Sequence, residues 1–392
     1  MKKEFLDLGN QPIANSFLEV IPGGYGYAGE DFFYNLRMGF DCETCLVTQM
    51  EYVDPPKMFN EHYVYRGSMS KTMQKHFKDF SKTISKKLKV LEIGSNDGVF
   101  IKNFSTKNAI GVEPCANFAK ETQDMGYTTY PEFWTQDLAN TINAEFGKQD
   151  IIFSANCISH IPDLDETFKA VESLLSEDGV FIFEDPSLAQ MINNNSYDQI
   201  YDEHVHILSV TALDNILKRN GLQIVSVDNL SVHGGSNRIY AKRIGNKIGD
   251  SYYSNLTYER ILGLDNIETF KRFAKRVEQS KNDLIEILSN CKKNNKKVIS
   301  YGATSKSTTV FNYCGITPSL IPYITDTTPE KQNTLSPGVH IPVYEPSSKI
   351  PSDVDYVFLG AWNFLTEIEE KETEFRERGG KFITHIPNVR VI

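Results

Sequence analysis

The fold is decided by residues 89–104, Lys-Val-Leu-Glu-Ile-Gly-Ser-Asn-Asp-Gly-Val-Phe-Ile-Lys-Asn-Phe. Its apolar start predicts a short strand over Val90–Ile93, and the segment 94–98, bounded by glycines, predicts a tight turn. Apolar residues then resume at helical spacing, which predicts a helix after the turn. In a parallel sheet such a turn lies at the carboxyl end of its strand, where ligands bind. We therefore expect a ligand-binding loop at this point of the chain.

The glycines of this loop suit close approach and tight packing. Gly94 allows the backbone to approach a ligand without a Cβ, and Gly98 allows the first helical turn to pack closely. The pattern Glu92-x-Gly94-x-x-x-Gly98 is not the G-x-G-x-x-G of dinucleotide-binding folds. It resembles motif I of the S-adenosylmethionine-dependent methyltransferases. The next predicted strand ends at Glu113, about 20 residues further on, where a carboxylate should meet ribose hydroxyls. For the two glycines alone, the glycine turn of another nucleotide-binding fold is the alternative.

The methyltransferase resemblance implies the cofactor S-adenosylmethionine. The residues that it implies as cofactor contacts lie in the loop and at neighbouring strand ends: Glu92, Gly94, Asn96, Asp97, Gly98, Glu113, Pro114 and Asn156.

Composition sets limits on the class of protein. The 392 residues suggest two or three domains, and the net charge of -10 argues against nucleic acid or an anionic membrane as partner. No apolar run approaches the length of a membrane span, and the first residues lack the apolar core of a signal peptide. The six cysteines are too scattered for a disulfide framework. We therefore expect a cytoplasmic protein with reduced thiols.

Strand and helix patterns alternate through the middle of the chain. Strands are predicted at 90–93, 109–113, 127–130, 151–155, 179–184, 222–230 and 237–243. Such alternation predicts a parallel sheet covered on both faces, and the short 231–236 turn makes the last two strands antiparallel. The fold class is therefore α/β, with the seven-stranded Rossmann-like sheet of class I methyltransferases. The predicted units are a small N-terminal domain at 1–82, a methyltransferase domain at 83–245 and a smaller α/β domain at 246–392.

The flanking units have fewer signals. A strand is predicted at 32–40, a helix at 69–80 and a long amphipathic helix at 266–294; four strands and two helices follow. Cys42 and Cys45 form a Cys-x-x-Cys pair, but structural zinc needs four ligands and the second pair is missing. We therefore predict two buried thiols at these positions and no metal.

Two groups of residues could carry chemistry. Beyond the fourth strand of the sheet, Asn156 would lie beside the cofactor and His160 at the mouth of the site; a packing or capping role is the alternative for the histidine. After the fifth strand, Tyr201, Glu203 and His204 bring a phenol, a carboxylate and an imidazole within four residues. Such a group can supply a general base with its orienting partners, although a structural role is the alternative.

Further motifs make the resemblance more specific. The glycine loop and Gly-Val-Glu-Pro at 111–114 are two of five such stretches. The third is Leu-Asp-Leu-Gly-Asn-Gln-Pro-Ile-Ala-Asn-Ser-Phe at 6–17, and the fourth is Tyr-Asp-Glu-His at 201–204 with His-Gly-Gly-Ser at 233–236. The fifth is Tyr-Gly-Ala-x-x-Lys at 301–306 with Asn-Tyr at 312–313 and Trp-Asn at 362–363. The chain resembles the sugar C-methyltransferases that build branched sugars such as mycarose, noviose and tetronitrose on nucleotide-linked 4-ketosugars. It departs from that family at Asp202, where the family usually has His, and in lacking the first of two Cys-x-x-Cys pairs, through which the family binds zinc.

The resemblance implies a C-methyltransferase acting on a nucleotide diphosphate-linked 4-ketosugar, at C3. In that reaction a base removes the acidified proton beside the ketone, and the resulting enolate carbon takes the methyl group. The implied base is His204, oriented by Glu203, with Tyr201 and His160 hydrogen-bonded to the sugar or its enolate. A tyrosine of the N-terminal unit closes over the sugar, and we predict Tyr65 in that role.

The implied substrate-binding residues are Tyr63, Ser68, His233, Arg238 and Lys306. Arg238 and Lys306 are the candidates for phosphate contacts, with an ordinary surface charge as the alternative. We expect a monomer. The rival functions are an O- or N-methyltransferase acting on a sugar or small metabolite, and a nucleotide-binding protein without catalysis.

Overall fold

The structure is a computed structural model that describes residues 2–21 and 27–392. The strands are β1 (Lys2–Pro12), β2 (Leu18–Val20), β3 (Tyr27–Ala28), β4 (Phe33–Asp41), β5 (Leu46–Gln49), β6 (Val90–Ile93), β7 (Ala109–Val112), β8 (Thr128–Tyr130), β9 (Gln149–Ala155), β10 (Leu175–Pro186), β11 (His206–Ile207), β12 (Leu222–Leu230), β13 (Ser236–Arg243), β14 (Val298–Tyr301), β15 (Ile324–Thr325), β16 (Thr334–Leu335), β17 (Pro342–Tyr344), β18 (Tyr356–Leu359), β19 (Lys381–Thr384) and β20 (Arg390–Val391). The helices are α1 (Pro55–Met58), α2 (Lys71–Ser81), α3 (Ala116–Asp124), α4 (Gln136–Phe146), α5 (Leu164–Leu174), α6 (Leu188–Asn194), α7 (Val210–Arg219), α8 (Asp250–Leu262), α9 (Ile267–Lys293), α10 (Ser305–Cys314), α11 (Leu365–Lys371) and α12 (Thr373–Glu377).

The central sheet confirms the predicted fold class. Its strand order is β12-β13-β10-β9-β6-β7-β8, which is the order of the class I methyltransferase sheet. Strands β10, β9, β6, β7 and β8 run parallel, whereas β13 is antiparallel to both β10 and β12. The middle parts of these strands are mostly apolar and buried, with side chains packed in the apolar clusters on both faces of the sheet. The carboxyl ends of β6, β7 and β9 therefore meet at one edge of this sheet.

Polar side chains begin several of the helices against this sheet. The side chains of Thr135, Asp163 and Ser209 each accept a main-chain N–H of the first turn that follows, in α4, α5 and α7. The prediction of a helix directly after the glycine loop is wrong. Only a single 3₁₀ turn forms there, at Ile101–Asn103, because the four apolar residues of 99–104 can all be buried without a longer helix, with Phe100 packed on Phe153.

The N-terminal sheet has the order β1-β4-β5-β11, so its last strand comes from the methyltransferase part of the chain. The predicted burial of the cysteine pair is wrong at Cys42, which is exposed because it lies in the turn between β4 and β5. Cys45 is partly buried. Among residues 2–21 and 27–392, no group of three or more His, Cys, Asp or Glu side chains could hold a metal ion.

The C-terminal sheet has the order β20-β19-β18-β14-β15-β17-β16-β2-β3. Strands β19, β18, β14, β15 and β17 are parallel, and the strands at both edges are antiparallel. The long helix predicted at 266–294 is confirmed as α9. Strands β2 and β3 belong to the N-terminal part of the sequence, so pairing crosses the predicted domain boundaries. In the described part of the chain, no helix is long and apolar enough to cross a membrane.

One apolar core joins these parts. It contains Leu36 and Phe40 from β4, Phe270 from α9 and Phe311 from α10, all fully buried. The rings of Phe40 and Phe270 lie 4.9 Å apart between centroids. The N-terminal sheet, α9 and the C-terminal sheet are therefore packed against each other. We call the region where Asn15, Tyr63 and Trp362 contact the 198–203 segment the cleft.

Candidate active site

The glycine loop forms a tight turn after β6. Gly94 and Gly98 have φ angles of +72° and +77°, which other residues rarely adopt. A Cβ on Gly94 would lie 2.7 Å from Cys157 Sγ, and one on Gly98 would lie 2.9 Å from Thr122 Cγ2. The glycines therefore allow the side chains of Cys157 and Thr122 to pack against the loop. The sequence predicted close ligand approach at Gly94 and gave no sign of the contact with Cys157.

Carboxylates surround the loop. Glu113 Oε2 accepts Asn96 N–H at 2.7 Å, and Glu113 Oε1 accepts Cys115 N–H at 2.8 Å. Burial raises the pKa values of Glu113 and Glu92, and Glu92 Oε2 is buried without a hydrogen-bond partner among the described residues. Asp97 Oδ1 is likewise without a partner in that part of the chain.

This loop fits S-adenosylmethionine. Each Glu113 oxygen has a second lone pair for a ribose hydroxyl, and the buried Asp97 oxygen can accept from a donor on the cofactor. Pro114 follows Glu113 and is partly buried, and Asn156, at the end of β9, has a φ of +50° and donates its N–H to Glu184 O at 2.6 Å. These residues lie at the strand ends where the cofactor was predicted.

A segment of the N-terminal unit, residues 54–70, covers the loop; we call it the lid. Asn96 Oδ1 accepts Gly67 N–H at 2.9 Å, Asn96 Nδ2 donates to Tyr65 O at 3.0 Å, and Asp97 Oδ2 accepts Ser68 N–H at 3.1 Å. The Asn96 and Asp97 side chains therefore hold the lid against the glycine loop.

The lid brings tyrosines to the cleft. Tyr63 O–H donates to Glu203 Oε2 at 2.8 Å, and its ring stands edge-on to Phe118. Tyr65 is 41% exposed beside it. The hydrogen bond therefore favours Tyr63 over Tyr65, the opposite of the sequence-based choice, as the lid tyrosine that contacts the predicted catalytic group.

Tyr201 and His204 form a hydrogen-bonded pair in the 201–204 turn. His204 Nδ1 lies 2.6 Å from Gln199 O, which can only accept, so Nδ1 carries the proton and Nε2 is the acceptor. Tyr201 O–H donates to that Nε2 at 2.9 Å. Burial, with the neighbouring His160, lowers the pKa of His204 well below its usual range, so the ring is neutral. His204 is 3% exposed, whereas Tyr201 is only partly buried, so the phenol is the more accessible end of the pair.

Glu203 does not orient His204, contrary to the prediction. Its Oε1 accepts Asn15 Nδ2–H at 2.6 Å and its Oε2 accepts the Tyr63 hydroxyl, so both oxygens are used by the N-terminal unit. The carbonyl of Gln199 orients the imidazole instead. Sequence reasoning missed the role of Asn15, although the motif at 6–17 contains it, because the contact spans 188 positions.

Asp202 is also tied to the N-terminal unit. Its Oδ1 accepts Ala14 N–H at 2.9 Å, while Oδ2 is buried with no partner among the described residues. Burial and the charge of Glu203 raise the pKa of Asp202 well above its usual range. The adjacent carboxylates therefore differ: Glu203 has a donor on each oxygen, and Asp202 has one on a single oxygen.

Three further predicted residues are His160, His233 and Lys306. Each histidine has a buried ring nitrogen without a hydrogen-bond partner among the described residues, and the Lys306 ammonium is desolvated. His160 stacks on His204 with 5.2 Å between centroids, and its Nε2 is buried and unpartnered in the described chain, as is His233 Nε2. Burial lowers the pKa of each of these two histidines to about 3, and the charge of Lys306 contributes at His233. Burial also lowers the pKa of Lys306, against the attraction of Asp198 and Glu203. Sequence reasoning missed Phe59, which stacks on the other face of His160 at 5.4 Å.

Arg238 has a different role from the predicted phosphate contact. Its Nε donates to Glu184 Oε1 at 2.7 Å, and the guanidinium lies 3.7 Å from the centre of the Phe80 ring. His76 Nε2 lies 2.6 Å from the other Glu184 oxygen. The prediction is corrected because the buried carboxylate of Glu184, near the end of β10, pairs with the guanidinium of Arg238 and so joins β10 to β13.

Comparison with known proteins shows the family to which the chain belongs. Residues 65–227 match the model of a methyltransferase domain, and residues 231–387 match the C-methyltransferase C-terminal domain. The C-methyltransferase NovU of Streptomyces niveus is 30% identical over 399 residues, which cover 99% of this chain and 94% of that protein.

Two solved structures are similar to less than half of the chain. An S-adenosylmethionine-dependent methyltransferase of Clostridium acetobutylicum is 19% identical, with a TM-score of 0.34, over 44% of this chain and 92% of its own. The magnesium protoporphyrin IX methyltransferase of Synechocystis, solved with S-adenosylhomocysteine, is 18% identical, with a TM-score of 0.33, over 43% of this chain and 83% of its own. The strand order, the two domain matches and the nearly full-length similarity to NovU all agree. They show that the chain belongs to the S-adenosylmethionine-dependent C-methyltransferase family, as its motifs predicted.

Proposed function

We propose that this C-methyltransferase acts on C3 of a nucleotide diphosphate-linked 4-ketosugar. The observation that carries the proposal is the Tyr201–His204 pair with its fixed tautomer, which lies beside His160, His233 and Lys306 in one cleft. A carbon next to a ketone needs a base and a site for the enolate charge, and this cleft offers both. The motifs shared with sugar C-methyltransferases support the sugar.

The proton path follows from the hydrogen bonds. As the C3–H bond breaks, the proton passes to the Tyr201 oxygen while the Tyr201 hydroxyl proton passes to His204 Nε2, and the electron pair moves to the ketone oxygen. His204 Nδ1–H stays on Gln199 O throughout, so the ring keeps its orientation as it becomes positively charged. His204 is then the base, as the resemblance implied, and Tyr201 is the group that touches the sugar.

The enolate charge needs donors that are already in place. Lys306 is the second residue of α10, and its desolvated ammonium is attracted by Asp198 and Glu203. His160 and His233 are neutral, so each can offer an N–H to the sugar without adding charge. S-Adenosylmethionine, when bound at the glycine loop, supplies the electrophilic methyl group. Tyr63 and the lid exclude water from the enolate.

The test is to incubate the protein with donor labelled with ¹³C in the methyl group and a panel of 4-ketosugar nucleotides. Carbon NMR of the product then locates the label. We expect a new methyl carbon bonded to C3. A label on another ring carbon would contradict the position, and no transfer to any member of the panel would contradict the substrate class.

A further inference from the structure

We propose that Gln49, at the end of β5 in the N-terminal sheet, is a positioning residue for the 201–204 turn. Its Nε2 lies 2.8 Å from Tyr201 O, 3.2 Å from Asp202 O and 2.9 Å from His204 O. The side chain is 0% exposed. A single side-chain amide therefore gathers the main-chain oxygens of the segment that carries the proton-transfer pair. The inference rests on the proposed function, because that function makes the geometry of this turn matter for the reaction.

The orientation of the amide is fixed by its neighbours. With the amide reversed, Gln49 Oε1 would face three carbonyl oxygens, all of them acceptors, and would meet repulsion at each. In the orientation found, Oε1 is buried and has no partner among the described residues. The protein therefore tolerates an unpaired acceptor here in order to place the donor, so the donor is the part of the side chain that the turn requires.

Main-chain contacts hold the residues that follow the turn independently of this side chain. Gln49 N–H donates to Val205 O at 2.8 Å, and Thr48 Oγ1 donates to the same oxygen at 3.2 Å. Thr48 also pairs with His206 across β5 and β11. Replacing the side chain at position 49 leaves these bonds in place, so it should loosen the turn without detaching β11.

The consequence for catalysis lies in the distance between two side chains. The 2.9 Å contact from Tyr201 O–H to His204 Nε2 joins two residues whose main-chain oxygens both bind Gln49 Nε2. The turn itself contains one main-chain bond, from His204 N to Tyr201 O at 3.1 Å. Gln49 touches neither reacting atom, so it acts through the backbone by setting where the phenol meets the imidazole.

The test compares Gln49→Leu and Gln49→Glu with the wild-type full-length protein. Leucine removes the donor at similar volume, and glutamate places an acceptor against the carbonyls. The matched control is Gln149→Leu: Gln149 is 1% exposed and donates to a single carbonyl, Gly147 O, at 2.8 Å, at the far end of β9 from the cleft.

Two measurements separate positioning from general stability. The first is donor-free exchange of the proton beside the ketone of a 4-ketosugar nucleotide in D₂O, where both Gln49 variants should lose about 10²-fold in kcat because the proton-transfer geometry is misplaced. KM and the Kd for S-adenosylmethionine should stay unchanged, and Gln149→Leu should keep the wild-type kcat. The second is amide hydrogen exchange by mass spectrometry, where peptides covering 201–205 should exchange faster in the Gln49 variants and peptides covering 92–98 should not.

Each failure has a separate meaning. Wild-type amide exchange at 201–205 in Gln49→Leu, or an equal loss of kcat in the Gln149 control, would overturn the role of Gln49. A wild-type protein that exchanges no proton of any ketosugar would contradict the proposed substrate instead, and amide exchange would still decide whether Gln49 holds the turn.

Discussion

Replacing Tyr201 by phenylalanine tests the proton path most directly. The change removes the hydroxyl that donates to His204 Nε2 at 2.9 Å and keeps the ring, whose centroid lies 4.1 Å from that of the imidazole. His204 is 3% exposed, so on the proposed path the loss of the hydroxyl leaves its Nε2 without the group that brings it the proton of the sugar. Loss of positioned acid–base catalysis costs about 10²–10⁴-fold in rate, or about 2.7–5.4 kcal/mol in the activation barrier.

The stability of the protein should change far less than its activity. A single hydrogen bond contributes about 1 kcal/mol to the free energy of unfolding, so Tyr201→Phe should remain folded. The assay is proton exchange at the carbon beside the ketone in D₂O without donor, together with calorimetric titration of S-adenosylmethionine. We expect exchange to fall to background while donor affinity is kept.

The matched control is Tyr127→Phe. Tyr127 O–H donates to Phe104 O at 2.8 Å within the central unit, away from the cleft. This variant should lose similar stability and keep full exchange. If Tyr201→Phe kept more than a tenth of the wild-type rate, His204 would have to reach the sugar directly, and the path through the phenol would be wrong.

The remaining predictions concern the supports of the site. Asn15→Asp places a carboxylate 2.6 Å from Glu203 Oε1, so kcat should fall and the acidic limb of its pH profile should move to higher pH; a profile identical to wild type would contradict the contact. Arg238→Met leaves the buried Glu184 carboxylate without its main partner and should lower the free energy of unfolding by about 3–5 kcal/mol in urea titrations, with an unchanged KM for the nucleotide sugar; a raised KM at unchanged stability would restore the phosphate role. Burial lowers the pKa of His206 from 6.5 to about 4, so between these values the unfolded chain binds a proton that the folded protein does not, and the stability that this residue confers is lost as pH falls. His206→Gln should therefore reduce the pH dependence of unfolding over that range by up to about 1.4 kcal/mol per pH unit, and parallel curves for the two proteins would contradict it.

Local sequence signals predicted the central sheet well. The strand at Val90–Ile93 was predicted with its observed bounds, and the short turn before β13 predicted the antiparallel ending, because apolar runs and tight turns are set by neighbouring residues. Helix α8 was missed because Tyr253 and Ile261, two of its large apolar residues, face solvent and leave little periodicity to detect. The helix expected after the glycine loop was an over-interpretation of a few apolar residues.

The candidate site shows the same division between local and distant information. The motif at 201–204 predicted that a phenol and an imidazole come together, and the structure has Tyr201 hydrogen-bonded to His204 within one turn. Their partners could not be predicted, because Asn15 reaches Glu203 across 188 positions and Gln49 reaches His204 across 155. The role given to Arg238 failed for a related reason: a lone cation in a strand carries no sign of the carboxylate on the neighbouring strand.

The exchange of strands between the sheets determines how this protein unfolds. Strands β2 and β3 extend the C-terminal sheet beyond β16, with β2 paired to β16, and β11 forms an edge of the N-terminal sheet beside β5. A fragment cut after residue 245 would retain β2 but lose the strand beside it, exposing unpaired amides and the apolar surface that α9 now covers. The free energy that holds any one sheet is thus shared with the other two, and heat or denaturant should melt them in a single cooperative transition.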